Sequence, residues 1–235
     1  MSLLVKTELC AASVEAIQIA REFKLDRIEL CQSLEQGGLT PSAGLIEYAI
    51  KHGLETHVLI RPRPGGFHYN KDEIDLMLKN IVQCKLMGAH GVVVGVLDQL
   101  NKINKMALDQ LVEKATGMDV TFHRAIDDTL SYKDSIDTLI ASGVNRILTS
   151  GLKNNVDQGC SNLAAMKEYS NARIEIMPGG GINEENIKRI VTEVKPDAIH
   201  FSGTIKYATD PGSKFATTIL KVDSSRIEKL LNLVT

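Results

Sequence analysis

"DVTFHRAIDDTLSYKDSIDTLIASGVNRILTS", residues 119–150, holds the unit from which the fold can be read. It opens on a short β-branched run, 119–124, that ends in a histidine and an arginine. Ser131 then opens a helix in which Ile136, Leu139 and Ile140 keep helical spacing, and Gly143 falls just past its end. A second β-rich run, 145–150, follows at once. Strand, helix and strand in about thirty residues make a parallel βαβ unit.

The same rhythm extends both ways. Further strands are predicted at 3–9, 27–31, 56–61, 91–96, 173–178 and 197–202. Between them lie helices with readable starts. Thr40-Pro41 supplies an N-cap and a first-turn proline, and Asn70 with Glu73 resembles a capping box ahead of Ile74, Met77, Leu78 and Ile81. Asn183 opens a helix with Ile187, Ile190 and Val191, and Ile227, Leu230 and Leu231 mark the last one. No Pro- or Ser-rich linker interrupts the series. Eight such units in 235 residues predict an α/β fold, a single-domain (β/α)8 TIM barrel spanning 1–235. A doubly wound sheet would want a Gly-rich turn after the first strand, and "ELCAASVEA" has none.

Composition narrows the function. A net charge of −2 with scattered Lys and Arg gives no nucleic-acid surface. The start lacks a basic segment followed by a long apolar one, and the most apolar run, "GVVVGVL", is too short for a bilayer. No membrane role and no organic cofactor are implied, and a cytoplasmic protein is expected. The four cysteines, at 10, 31, 84 and 160, form no CxxC pair.

Strand residues alternate between the barrel interior and the apolar helix layer. In 119–124, Val120 and Phe122 go to the helices, so Thr121 and His123 face inward and Arg124 faces away. The same sorting directs His57, Leu59 and Arg61 inward, then Arg27, Glu29 and Cys31, then Glu8 and Cys10, then His200 and Ser202, with Ser150 on the sixth strand. Their later members lie at the C-terminal strand ends, where barrel enzymes keep their chemistry. Glu29 and Arg61 read either as a structural ion pair or as part of a site. Asp127 is a weaker loop candidate, with capping as its default. "MPGGGIN" (177–183) joins a strand to a helix, so Gly179, Gly180 and Gly181 offer backbone N–H groups to an anion, helped by Ser202 and by Arg61 and Arg63 of "RPRPGG". Cys10 and Cys31 end adjacent strands and read either as a soft-metal pair or as small buried hydrophobes.

"DRIELCQSLEQGGLTPSAGLI" (26–46), "IRPRPGGFHY" (60–69), "DVTFHRAID" (119–127), "RILTSG" (146–151) and "MPGGGI" (177–182) together resemble the CutC copper homeostasis family, in register over about residues 1–202. That resemblance implies a cytoplasmic, homo-oligomeric TIM barrel. It also implies Cu(I) bound through cysteines closing the first two strands, which match Cys10 and Cys31. Two departures stand out. "RPRPGGF" replaces the family's RPRGGDF and lacks its aspartate, and Cys10 stands where many relatives carry two adjacent cysteines. The stretch after Ser202 matches poorly. Two functions follow as expectations. One is copper(I) binding at Cys10 and Cys31. The other is an enzyme of a small phosphorylated or carboxylated metabolite, with His123 and Glu29 as acid and base and Arg61 plus Gly179–Gly181 as the anion site. A non-catalytic barrel for metabolite sensing or interaction is the third reading.

Overall fold

Eight short strands run in the order β1 (Lys6–Ala11), β2 (Arg27–Leu30), β3 (Thr56–Leu59), β4 (Gly91–Val94), β5 (Asp119–Phe122), β6 (Arg146–Thr149), β7 (Glu175–Pro178) and β8 (Ala198–Phe201) in a computed structural model that describes residues 5–210 and 212–234. All are parallel, β1 to β7 each hydrogen-bonded to the next, and β8 returns to pair with β1. At the remaining seam Asp197 N–H donates to Ile176 O (3.2 Å), while the Asp197 carboxylate accepts from Ile176 N–H (2.9 Å). The sheet is thereby drawn into a barrel. Residues 3 and 4 of the expected first strand lie outside the described residues.

An α-helix lies between each barrel strand and the next, and one closes the chain: α1 (Val14–Glu22), α2 (Ala43–Lys51), α3 (Lys71–Leu86), α4 (Lys105–Lys114), α5 (Tyr132–Ala141), α6 (Val156–Ser170), α7 (Ile187–Val194) and α8 (Ser224–Asn232). Their starts follow local chemistry. The Asn70–Glu73 capping box forms, and Ser13, Asn104, Ser131, Asn155 and Asp223 each accept a backbone N–H of the first turn. Two expected starts shift. Ser42, rather than Thr40, caps α2, leaving Thr40 to bond Arg61 across the loop. Asn183 closes a turn by accepting from Glu185 and Asn186, and α7 begins only at Ile187. None of the described helices is long and apolar enough to cross a membrane.

Alternation divides the core in two. Ile28, Leu30, Val58, Ile60, Val92, Val120 and Phe122 pack outward under the helices. Inside the barrel, Cys10, Cys31, Leu59 and Val93 form one small apolar cluster and Leu148, Met177 and Ala198 another. Buried polar side chains from Glu8, Arg27, Glu29, His57, Thr121, Arg146 and His200 fill the rest. One element is new. After β8 an antiparallel hairpin, β9 (Thr204–Ala208) with β10 (Thr218–Val222), leans on the mouth, and Leu220 N–H donates to Glu35 (2.7 Å).

Candidate functional site

At the C-terminal ends of the strands lies a cavity of about 380 Å³. Its wall includes Cys10, Glu29, Arg61, His123, His200 and Ser202, together with Gly180 and Gly181. They lie on or just past β1, β2, β3, β5 and β8 and in the loop after β7, so residues up to 192 positions apart meet here. Cys31 is buried just behind, its Sγ 3.8 Å from Cys10 Sγ.

Three buried side chains on this wall carry atoms with no protein partner. The Arg61 guanidinium is held by the carbonyls of Gln36 (3.0 Å), Gly38 (2.8 Å) and Gly65 (2.7 Å) and stands 5.3 Å from the Phe67 ring centre. None of those partners is a carboxylate, and its Nε is unpaired. The structural ion pair between Glu29 and Arg61 does not form. Glu29 instead keeps Oε2 unpaired, with Cys10 Sγ 4.0 Å from its Oε1. Burial, reinforced by the negative charge of Glu8 and opposed by His200, raises the Glu29 carboxyl to about 7.

His123 is the third. Its Nδ1 accepts from Ala125 N–H (3.0 Å), which places the proton on Nε2, and that N–H is buried without an acceptor. Burial, then the neighbouring Arg61 charge, lowers its pKa to about 3. The imidazole is therefore neutral near pH 7. Its Nε2–H is left as an unpaired donor on a residue that lines the cavity. Gly95 makes the space, since a Cβ there would stand 2.1 Å from the ring.

Beneath Glu29 sits a paired set of charges. Glu8 is wholly buried, ion-paired to Arg27 Nε and 2.8 Å from His200 Nδ1. Burial opposes its charge, but the His200 bond and the His200 and Arg27 charges overcome it and hold the carboxyl well below its usual range. His200 is raised correspondingly, since its bonds to Cys10 and Glu8 and the acidic neighbours outweigh burial. Cys10, Glu29 and His200 each place a ligand-type atom within 4.8 Å of the others. The Cys10 thiol is pushed up by its contact with Cys31 and by burial.

Other expected residues go elsewhere. Arg63 is tied to Glu73 and to the carbonyls of Gly66 and His68, so it braces its own loop and is not at the mouth. Gly179 donates to Thr149 O (2.9 Å) and leaves room for Leu148 and His200, which makes it a packing residue. Ser150 is fully buried in a knot around Asp127 rather than on the wall. Arg124, expected to face away, reaches the cavity and the Gly180 backbone. The reason is local: the strand stops at Phe122, and 124–128 wind into a 3₁₀ turn where alternation no longer applies.

An eight-stranded barrel with a polar, partly unpaired mouth defines the class: a TIM-barrel protein with a cavity at its C-terminal face. The model of the CutC family matches residues 5–205, and the chain belongs to that family. It is 40% identical over 200 residues to CutC of Photobacterium profundum, covering 85% of this chain and 82% of that one. With CutC of Bacteroides fragilis it shares 40% over 197 residues, 83% and 78% of the two chains. Among solved structures, the CutC protein of Streptococcus agalactiae, named for copper homeostasis, superposes with a TM-score of 0.79 at 34% identity over 84% of this chain and 98% of that chain. Phosphoribosylanthranilate isomerase of Pyrococcus furiosus, at 13% identity, a TM-score of 0.58 and 98% of both chains, shares the fold.

Proposed function

We propose that this CutC protein is a cytoplasmic homo-oligomeric enzyme that binds a small phosphorylated or carboxylated metabolite in the mouth and moves a proton on it. One observation carries this reading: Glu29 Oε2, Arg61 Nε and His123 Nε2–H are buried without a protein partner, and their residues, on or just past β2, β3 and β5, all line the cavity. Leaving such atoms unpaired costs about 1–3 kcal/mol each, so a ligand that pairs them is favoured. Arg61, already oriented by three carbonyls, holds negative charge on the ligand. His123 Nε2–H donates to a carbonyl or hydroxyl oxygen and steadies charge developing there. Glu29, at about 7, is protonated and ionised in comparable amounts near neutrality, which suits a group that takes a proton and returns it. Gly180 and Gly181, both at positive φ, bring backbone close to the ligand's far end. The test is proton exchange. A panel of phosphorylated and carboxylated carbonyl compounds in D2O, followed by NMR, should show one that exchanges carbon-bound hydrogen with wild type but not with Glu29→Gln. Equal exchange with that variant would remove Glu29 from the role, and no exchange across the panel would leave proton transfer without support.

A second reading rests on the 3.8 Å between Cys10 Sγ and Cys31 Sγ. Two thiols with the His200 imidazole alongside form a soft donor set that fits Cu(I), carried as cargo. Cys10, Cys31 and His200 would hold the ion once the thiols and the imidazolium lose their protons. Anaerobic competition titration should give tight Cu(I) binding that the Cys10→Ser, Cys31→Ser double variant abolishes; binding left unchanged would end this reading. Four cysteines without a disulfide suit a reducing compartment.

A further inference from the structure

The opposite end of the barrel carries a second group of polar residues that the mouth does not use. His57 (β3), Gly91 (β4) and Asp119 (β5) occupy one register row across three adjacent strands. Gly91 has no side chain, and the His57 ring lies over it; a Cβ at Gly91 would meet the ring at 2.7 Å. The imidazole is thus laid across the gap toward Asp119, and Glu55 enters from the residue before β3. His57, Glu55 and Asp119 each offer a ligand-type atom, all within 4.8 Å of one another.

His57 is fully buried, yet neither ring nitrogen has a hydrogen-bond partner. Its Nε2 stands 3.4 Å from Glu55 Oε1 without hydrogen-bond geometry. Two ligands of one tetrahedral zinc, at metal–ligand distances of about 2.0–2.1 Å, stand roughly 3.3 Å apart. The Glu55–His57 separation matches that spacing. Charge agrees. Arg27 is matched first by Glu8 and Arg146 by Glu175 (2.6 Å), which leaves Glu55 and Asp119 only the longer contacts to them, 3.3 and 3.7 Å. Two arginines are thus shared among four carboxylates beside the unpartnered imidazole, which leaves net negative charge for a cation to balance.

We propose that Glu55, His57 and Asp119 form a structural site for a zinc-class divalent cation at the N-terminal end of the barrel, clamping β3 to β5 across Gly91. Glu55 and Asp119 are half-exposed, so the ion has a path from solvent. The site is separate from the mouth and does not depend on the function proposed there.

The test uses metal-free full-length protein in the Cys10→Ser, Cys31→Ser background, which removes the mouth thiols. Calorimetry with Zn2+ should show one ion per chain, a higher Tm on loading, and Co2+ should give tetrahedral visible bands with no thiolate charge-transfer band. Glu55→Gln and Asp119→Asn, both at half-exposed positions, should each weaken binding by more than the roughly 10–100-fold that a residue behind the ligands costs. His57→Ala should abolish it. Absence of stoichiometric Zn2+ and Co2+ binding, or binding that both carboxylate variants leave unchanged, would overturn the assignment.

Discussion

Each side of the barrel mouth buries a carboxylate near an arginine, but the two differ in how those groups are paired. On the β5–β6 side, Asp127 accepts from Thr149 Oγ1 (2.5 Å), Ser150 N–H (3.0 Å), Ser150 Oγ (2.8 Å), Leu152 N–H (3.1 Å) and Arg124 Nε (2.9 Å). None of the buried polar side-chain atoms of Asp127, Thr149 and Ser150 lacks a partner. On the β2–β3–β5 side, Glu29, Arg61 and His123 each keep an atom with none. Charge in a loop is thus a poor marker of a site, whereas unpaired charge in a buried wall is a good one. The saturated side holds the loops in place; the unsaturated side is left for a ligand.

Perturbing the saturated side should cost the most stability. Asp127→Asn removes an acceptor shared by several donors, and denaturant unfolding should show a loss of roughly 2–4 kcal/mol. A loss below about half a kcal/mol would erase the contrast between the two sides.

Glu29→Gln should act in the opposite direction. The folded protein keeps its proton on Glu29 up to about pH 7, while the unfolded chain releases it near the ordinary 4.5. The native state therefore binds more protons between those values, and stability falls as pH rises through that window. Replacing the carboxyl should raise stability at pH 8 by up to about 3 kcal/mol, at about 1.4 kcal/mol per pKa unit, with no gain at pH 4. A pH-independent difference between variant and wild type would show that Glu29 is ordinary.

Gly95→Ala pushes a methyl group into the His123 ring. It should destabilise by about 1–3 kcal/mol and weaken ligand binding with it, because the ring must move. Unaltered ligand-induced Tm shifts would separate His123 from the site. Smallest of all, Arg63→Ala should change stability by less than about 1 kcal/mol, its pair with Glu73 being partly exposed, and should leave ligand binding as it was. A large loss of binding would return Arg63 to the mouth.

Much of this was legible in the chain. The alternation of short β-rich runs with capped amphipathic helices predicts the barrel, because each period reports which face is buried. The same rule places Glu29, Arg61, His123 and His200 inside, since a strand's side chains must point to opposite faces. It failed for Arg124 and Ser150, where the strand had already ended and a turn redirected the side chains. One overlooked signal was in plain view. "GVVVGV" begins with Gly91 and carries Gly95 four residues on, and each glycine accommodates a histidine ring from a neighbouring strand, His57 at one end and His123 at the other. Glycines weaken a strand, so paying for two at that spacing points to bulky neighbours on its inner face.

The sequence by itself determined the architecture, the family and, within the strands, which residues face inward, because periodicity and local capping depend on residues close together in the chain. Only the tertiary structure decided which of those inward residues are satisfied. Whether Arg61 meets a carboxylate or three carbonyls, and whether His123 carries its proton on Nε2, depends on groups brought together across strands. Burial then sets the protonation of Glu29 and His123, and burial exists only once the barrel has closed.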